Sequence, residues 1–389
     1  MRSAFLPTRQ PIYSTAHWAA LIPASGALLL LPLATLGRGG SAAWAEGITL
    51  LAGALGLASA VFLRTPLPRR VQAASGLWLL LVLWCWFQSL SLPALAHPLW
   101  AEAAIALFCI AALFQVPDQP GAALGKVRHS ADAAFPFTSR NTFCAFTGVA
   151  AVMAFANLAP NSRKHWQFWL AILGISLAAV TASHSRAGLI ATIIGLAVAG
   201  LAGRPGKWSL LLLGGLIAAV CLAGILSLTG LRAASLPEDL GIRLAIWQAR
   251  ASIAQNHFWL GVGSLDQALQ MQPGEWGDRH ILRAHNIYLQ TVAERGLPAT
   301  TLPIAALALL LAQAITKLTR AAPPATRTTA AITVGVCSLF AAHGVVDFSL
   351  YAPANAALLA LMLGLACGAS TPALPKPQGF ATNAQLFHS

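Results

Sequence analysis

The sequence predicts an all-α fold, a polytopic transmembrane helical bundle, from three observations. Of 389 residues, 57% are hydrophobic and only 9% are charged, against roughly 25% charged in soluble domains. Apolar blocks recur along the whole chain, each near the length of about 20 residues that crosses a bilayer. The charges fall singly in the joins between those blocks. Hydrocarbon offers backbone groups no solvent partner, so each spanning block must satisfy its own N–H and C=O groups as a helix. A water-soluble globule is excluded.

Taken in order, the blocks lie near 19–37, 42–63, 73–93, 98–116, 141–159, 166–183, 187–203, 209–229, 297–316, 329–350 and 354–370, which makes about eleven spans, with ten to twelve plausible. The first block lacks an early cleavage site and is read as a retained helix. Residues 230–286 form the one long join, with five Arg, the acids Glu238 and Asp239, and several Trp. Long loops carry function more often than short ones. Within it Leu240, Leu244, Trp247, Ala251 and Ala254 recur at helical spacing, so 239–256 reads as an amphipathic helix at the membrane surface. Gly261 and Gly263 end it. The organisation is a single membrane domain: helices over 1–229, the loop 230–286, helices over 287–371, and a disordered tail 372–389 containing Pro372, Pro375 and Pro377.

The net charge of +13 does not indicate nucleic acid here, because scattered loop charges suit anionic headgroups, and converging arginines suit a phosphate. The six cysteines, Cys85, Cys109, Cys144, Cys221, Cys337 and Cys367, sit in or beside apolar stretches without CxxC or Cys/His metal spacing and read as core residues. Short basic joins (Arg163 and Lys164; Arg204 and Lys207; Lys317, Arg320 and Arg327; Lys376) mark the cytoplasmic side. Residues 117–140, the turn at His184–Arg186 and the long loop then face outward. Arg2, Arg9, Arg64, Arg69 and Arg70 also favour the cytoplasm, which leaves the first half off by one span: one N-terminal span is miscounted, re-entrant or reversed.

Outward helix ends on this orientation carry Arg140, Arg186, Arg243, Arg283 and His285, with Glu294 downstream. A guanidinium at membrane depth costs about 2.5–3.5 kcal/mol, so Arg186 needs an interfacial position or an anionic partner. Arginine's rigid donor fork matches a diphosphate and can offset charge on a leaving group. Each residue also has a structural reading. Arg186 is either a phosphate ligand or an outer-leaflet anchor. Arg243 and Trp247, one turn apart, either bind or snorkel as a pair. Arg140 with Asn141 is otherwise an ordinary helix start. The His285 imidazole could take a proton from an acceptor hydroxyl or be a hydrogen-bonded interfacial residue. Its i+4 neighbour is Leu289, so any carboxylate that orients it comes from elsewhere. Glu294 could pair with Arg283 or Arg295. His343 and Asp347 are one turn apart near an outer helix end, either a functional intramembrane acid or a packing ion pair.

Four strings together resemble the O-antigen ligase and polymerase superfamily of bacterial envelope glycosyltransferases: Thr138-Ser139-Arg140-Asn141-Thr142-Phe143; Ser183-His184-Ser185-Arg186-Ala187-Gly188; Arg243 with Trp247, then Gly261-Val262-Gly263; and Ala284-His285-Asn286-Ile287-Tyr288-Leu289-Gln290 continuing to Glu294-Arg295-Gly296-Leu297-Pro298. His343-Gly344-Val345-Val346-Asp347-Phe348 extends the set. The resemblance covers roughly residues 138–365, in order. It implies a multi-pass protein of the bacterial inner membrane with a periplasm-facing site and an undecaprenyl-diphosphate-linked glycan as donor. It also implies inverting transfer to an acceptor hydroxyl with no metal, no nucleotide sugar and no other cofactor. Arg186 and Arg243 would grip the diphosphate, His285 would be the base or acceptor-positioning group, and Arg140 and Arg283 supporting cations. Asn286, Trp247, Glu294, His343 and Asp347 would complete the substrate site. The acceptor stays open between lipid A core, a growing polysaccharide and a protein hydroxyl, and other polysaccharide assembly proteins are possible partners. A transporter or flippase of lipid-linked glycan is the alternative, since the same arginines could bind a headgroup while helices rock. No repeat relates the two halves, however, and the charges cluster in the outward loops rather than mid-membrane.

Overall fold

The computed structural model describes residues 69–91, 137, 139–158, 166–203, 214–215, 236–263, 284–319 and 322–367. The regular elements among them are helical: α1 (Arg69–Ser91), α2 (Arg140–Asn157), α3 (Trp166–Ala182), α4 (Arg186–Ala202), α5 (Leu236–Asn256), α6 (Ile287–Thr319), α7 (Pro324–Gly344), a 3-10 turn at Ser349–Tyr351, and α8 (Pro353–Cys367). Ile287–Leu318 and Pro324–Gly344 are long and apolar enough to cross a membrane; Trp166–Ala182, Arg186–Ala202 and Ala354–Cys367 are apolar and shorter. The expected spans near 19–37, 42–63 and 98–116, most of 209–229, and the tail 372–389 lie outside the described residues, as does Arg283.

Each helix start has a local cause. Ser139 caps α2 by accepting the Asn141 N–H at 3.2 Å, and Ser185 caps α4 by accepting the Gly188 N–H at 3.1 Å; both satisfy donors that the first turn leaves orphaned. The α3–α4 join is only three residues, with His184 at φ 49°. Proline opens α7, where a missing N–H costs nothing.

Two boundaries differ from the sequence reading. The span expected over 329–350 ends early, because α7 stops at Gly344. Val345 and Val346 fold back on the Ala342 and His343 carbonyls, so Asp347 sits in a turn rather than on the helix. The preceding span was expected from 297, but α6 begins ten residues earlier at Ile287 because Asn286 accepts the Leu289 N–H at 3.0 Å through its side chain. α6 is broken at Gly296 (φ 77°, ψ 175°). Pro298 has no N–H to give the Glu294 carbonyl, and the end of the α5 segment fills the gap. Val262 N–H donates to Ala293 O at 3.0 Å, Gly263 N–H to Glu294 O at 2.8 Å, and Leu297 N–H to Phe258 O at 2.8 Å. Gly261 (φ 67°) faces the Glu294–Arg295 backbone and Gly296 the Trp259 carbonyl, and at neither is there space for a Cβ.

α5 itself differs in its buried face. The sequence pattern put Leu244 and Ala254 on the apolar stripe; Ala254 is buried, but Leu244 is exposed, and Ile246 and Arg250 are buried in addition. The helix docks on α6 through a face that includes a guanidinium, which a pattern built on apolar residues cannot mark.

The centre of the bundle is α2, α4 and α7, with α3 against α2, and α8 against α7 and α6. α1 lies along α6, where Arg70 donates to the Ala312 carbonyl at 2.8 Å. Val149, Val152, Leu196, Val336 and Leu339 fill the core. Helices in lipid approach closely where small residues meet. At Gly335 a Cβ would lie 2.6 Å from both the Gly195 carbonyl and the Ala199 Cβ. Gly335→Val is therefore expected to destabilise the protein by about 1–3 kcal/mol, read as a lower melting temperature in detergent. Gly174→Ala, where nothing lies within 4 Å, should leave it unchanged. Equal melting of the two variants would contradict the tight α4–α7 crossing.

Candidate functional site

The site forms at one end of the bundle, where α2, α4, α6 and α8 begin and α7 stops. Hydrogen bonds connect these ends in sequence. Ser185 Oγ, ahead of Arg186, donates to Asn141 Oδ1 at 2.7 Å, which sets the starts of α4 and α2 side by side. Asn355 in the first turn of α8 donates through Nδ2 to the Thr142 carbonyl at 3.2 Å and to the Ser349 carbonyl at 3.0 Å. Ser349 Oγ meets His343 Nδ1 at 2.8 Å. Three of the polar strings picked out in the sequence, spread over more than 200 positions, thus share one end of the molecule. Arg140 and Arg186 are the first residues of α2 and α4, both half-buried. The partial positive charge of the converging N-termini adds to theirs and favours an anion.

Asp347 is the centre of this end. Its carboxylate is fully buried, with Oδ1 3.5 Å from His285 Nδ1 and Oδ2 3.7 Å from His343 Nε2. Burial alone raises its pKa, but the neighbouring His285 and His343 imidazoles and the Phe348 backbone N–H together outweigh burial and hold the carboxyl below its ordinary value. It is therefore a carboxylate at neutral pH. The His285 side chain keeps 36% exposure while that of Asp347 has none, so His285 is the member of the pair that reaches outward. Its ring also lies 5.2 Å from Phe348.

His285 adopts φ 49°, a left-handed conformation that costs a non-glycine residue about 1–2 kcal/mol, and the flanking residues are clamped to hold it there. The Ala284 N–H donates to Gln290 Oε1 at 2.6 Å, the Ala284 carbonyl accepts from Trp247 Nε1 at 2.8 Å, and Asn286 caps α6. Gln290 in turn donates through Nε2 to Glu294 Oε1, whose other oxygen accepts from the Tyr351 hydroxyl at 3.2 Å. Arg295 lies 6.0 Å from the Tyr351 ring centroid. Arg243 donates through Nη1 to the Val346 carbonyl at 2.6 Å, which fixes its guanidinium beside the Asp347 turn.

The structure brings together Arg243, Trp247, His285, Asn286, Glu294, His343 and Asp347, with Arg140 and Arg186 opening helices at the same end. Arg243 and Trp247 hold the segments on either side of the His–Asp pair rather than snorkelling. Asn286 is a helix cap. Glu294 is buried on Gln290 and Tyr351 rather than facing an opening. The carboxylate beside His285, absent from its own helix, is Asp347, 3.5 Å away. Ser349, Asn355 and Gln290 were not singled out in the sequence. A lone amide in the apolar run Pro353–Cys367 was the available signal for Asn355, because buried polar groups pair.

Residues 170–304 match a protein-family profile described as O-antigen ligase, from α3 to the kinked start of α6. The matched stretch contains Arg186, Arg243, Trp247, His285, Asn286 and Glu294; Arg140, His343 and Asp347 lie outside it. No curated protein matches the chain in sequence.

Gln290→Leu removes the acceptor that clamps the Ala284 N–H and leaves the His285 backbone unsupported. Activity in the transfer assay described below is expected to fall about tenfold or more while membrane abundance stays near normal, since an unpaired buried amide costs only about 1–3 kcal/mol. Undiminished activity would show that the clamp does not matter.

Proposed function

We propose that this chain, with its O-antigen ligase family domain over residues 170–304, is an O-antigen ligase-like glycosyltransferase. It moves a glycan from an undecaprenyl diphosphate carrier onto an acceptor hydroxyl, of lipid A core or of a growing polysaccharide, at the periplasmic face of the bacterial inner membrane. The observation that carries this reading is the buried Asp347 carboxylate against His285 Nδ1 at 3.5 Å, with Arg243 pinned to the next residue back at 2.6 Å.

With Nδ1 turned to Asp347, the Nε2 nitrogen of His285 is left to accept the acceptor's proton. The acceptor oxygen then attacks the anomeric carbon from the face opposite the carrier, a carbon–oxygen bond forms, and the bond to the diphosphate oxygen breaks with inversion. Asp347 stabilises the imidazolium that results. The leaving diphosphate carries the negative charge, and Arg186, Arg243 and Arg140 are the cations placed to receive it. No metal ion is required in this scheme. Outward orientation is supported by the basic residues at the opposite end of the bundle, Lys317 in the last turns of α6 and Arg327 at the start of α7.

The test is purified protein in detergent or liposomes, given a lipid-diphosphate glycan and, in separate reactions, lipid A core, a second lipid-linked glycan or a Ser-rich peptide. The acceptor that gains mass identifies the subclass. His285→Ala is expected to slow transfer by about 10²- to 10⁴-fold, the usual contribution of a general base. Arg243→Lys should also be impaired, about tenfold or more, because an ammonium cannot reproduce the donor fork. Chelator should leave the rate unchanged. Movement of the lipid-linked glycan across sealed vesicles without a new glycosidic bond would replace this reading with a transporter. Full transfer by His285→Ala would remove the base.

A further inference from the structure

His343 is a buried titratable group that the proposed chemistry does not use. It is fully buried, on the inner side of Asp347, and so is walled off from any acceptor or donor. Its two ring nitrogens have distinct neighbours: Nδ1 meets Ser349 Oγ at 2.8 Å and Nε2 faces Asp347 Oδ2 at 3.7 Å. Ser349 is itself buried and its backbone is held by Asn355. A serine hydroxyl donating to Nδ1 leaves the imidazole proton on Nε2, directed at the carboxylate oxygen that His285 does not use. The other charged or titratable groups facing this pair are Arg243 of α5, His285 ahead of α6 and Cys144 of α2.

We propose that His343 is a positioning residue for the transfer reaction: fixed by Ser349 and Asn355, it holds Asp347 Oδ2 so that Oδ1 stays aimed at His285. This rests on the base role given to His285 above. A carboxylate swings about its side-chain torsion, and in a dry site a second oxygen without a donor would turn to find one. With His343 in place, Oδ2 has an imidazole nitrogen 3.7 Å away, too far for a hydrogen bond but near enough to favour this orientation of the carboxylate electrostatically. The sequence left His343 open between substrate binding and a packing ion pair. The shared carboxylate makes it an outer support of the reacting imidazole, in the manner that second partners orient histidine ligands.

The experiment compares His343→Leu, His343→Gln, Ser349→Ala and His285→Ala in the reconstituted transfer assay, with kcat and KM for the lipid-linked donor measured for each. His343→Leu and Ser349→Ala are expected to lower kcat by about 10- to 100-fold, the scale typical of outer supports to histidine, with KM within about twofold. His343→Gln, whose amide can still donate near the Nε2 position, should recover much of the rate. If Ser349→Ala keeps wild-type kcat, or if His343→Gln is as slow as His343→Leu at matched abundance, the proposal is overturned. A raised donor KM at unchanged kcat would also overturn it, since that marks a substrate contact. Full activity in His285→Ala would instead overturn the base assignment on which it rests, so the two failures are distinguishable.

Discussion

A carboxylate sealed from water at the end of an apolar bundle is unstable unless cations or polarised donors surround it, and the arrangement around Asp347 meets that demand. Both oxygens face imidazoles, and the guanidinium of Arg243 is tied to the carbonyl of the preceding residue. The chain must leave α7 early to place the side chain there, which is why the helix stops at Gly344 and a short 3-10 turn follows. Most of the surrounding architecture can be understood as fixing the groups that make this buried charge tolerable, and it holds His285 against that charge.

The site is built on helix ends rather than on long loops, which favours precise placement. Three devices bring the ends into register. Ser139 and Ser185 cap α2 and α4 and, through Asn141, couple them. Asn355 joins α8 both to α2 and to the turn carrying Ser349. The break at Gly296 lets the Phe258–Gly263 segment supply donors to the Ala293 and Glu294 carbonyls, so α5 is locked to α6 and delivers Arg243 and Trp247 to opposite sides of His285. Small residues at the α4–α7 crossing draw the central helices close together.

Composition and apolar block length were enough to indicate helices, because the bilayer constraint acts on whole segments and leaves a long, strong signal. The polar strings around Arg140, Arg186, Arg243, His285 and His343 were legible for a related reason: charged or titratable groups are costly in an apolar chain and stand out. The partnerships between them were not legible. Nothing in the local sequence of His285 points to Asp347, 62 positions away, since that pairing is made by the return of α7 against α6. The buried face of α5 was misplaced because it includes Arg250, and the start of α6 because a capped turn continues across a glycine break that ends the apolar block. Asn355 was overlooked as one amide within an apolar run, and its importance comes from what it joins.

A double-substitution cycle on His285 and Asp347 tests the central pairing most directly. Transfer rates would be measured for His285→Ala, Asp347→Asn and the two combined, all at matched membrane abundance. If the carboxylate acts through the imidazole, the combined variant should be no slower than His285→Ala alone, because Asp347 has nothing left to orient. Independent effects that multiply in the combined variant would contradict the pairing and separate the two residues in function.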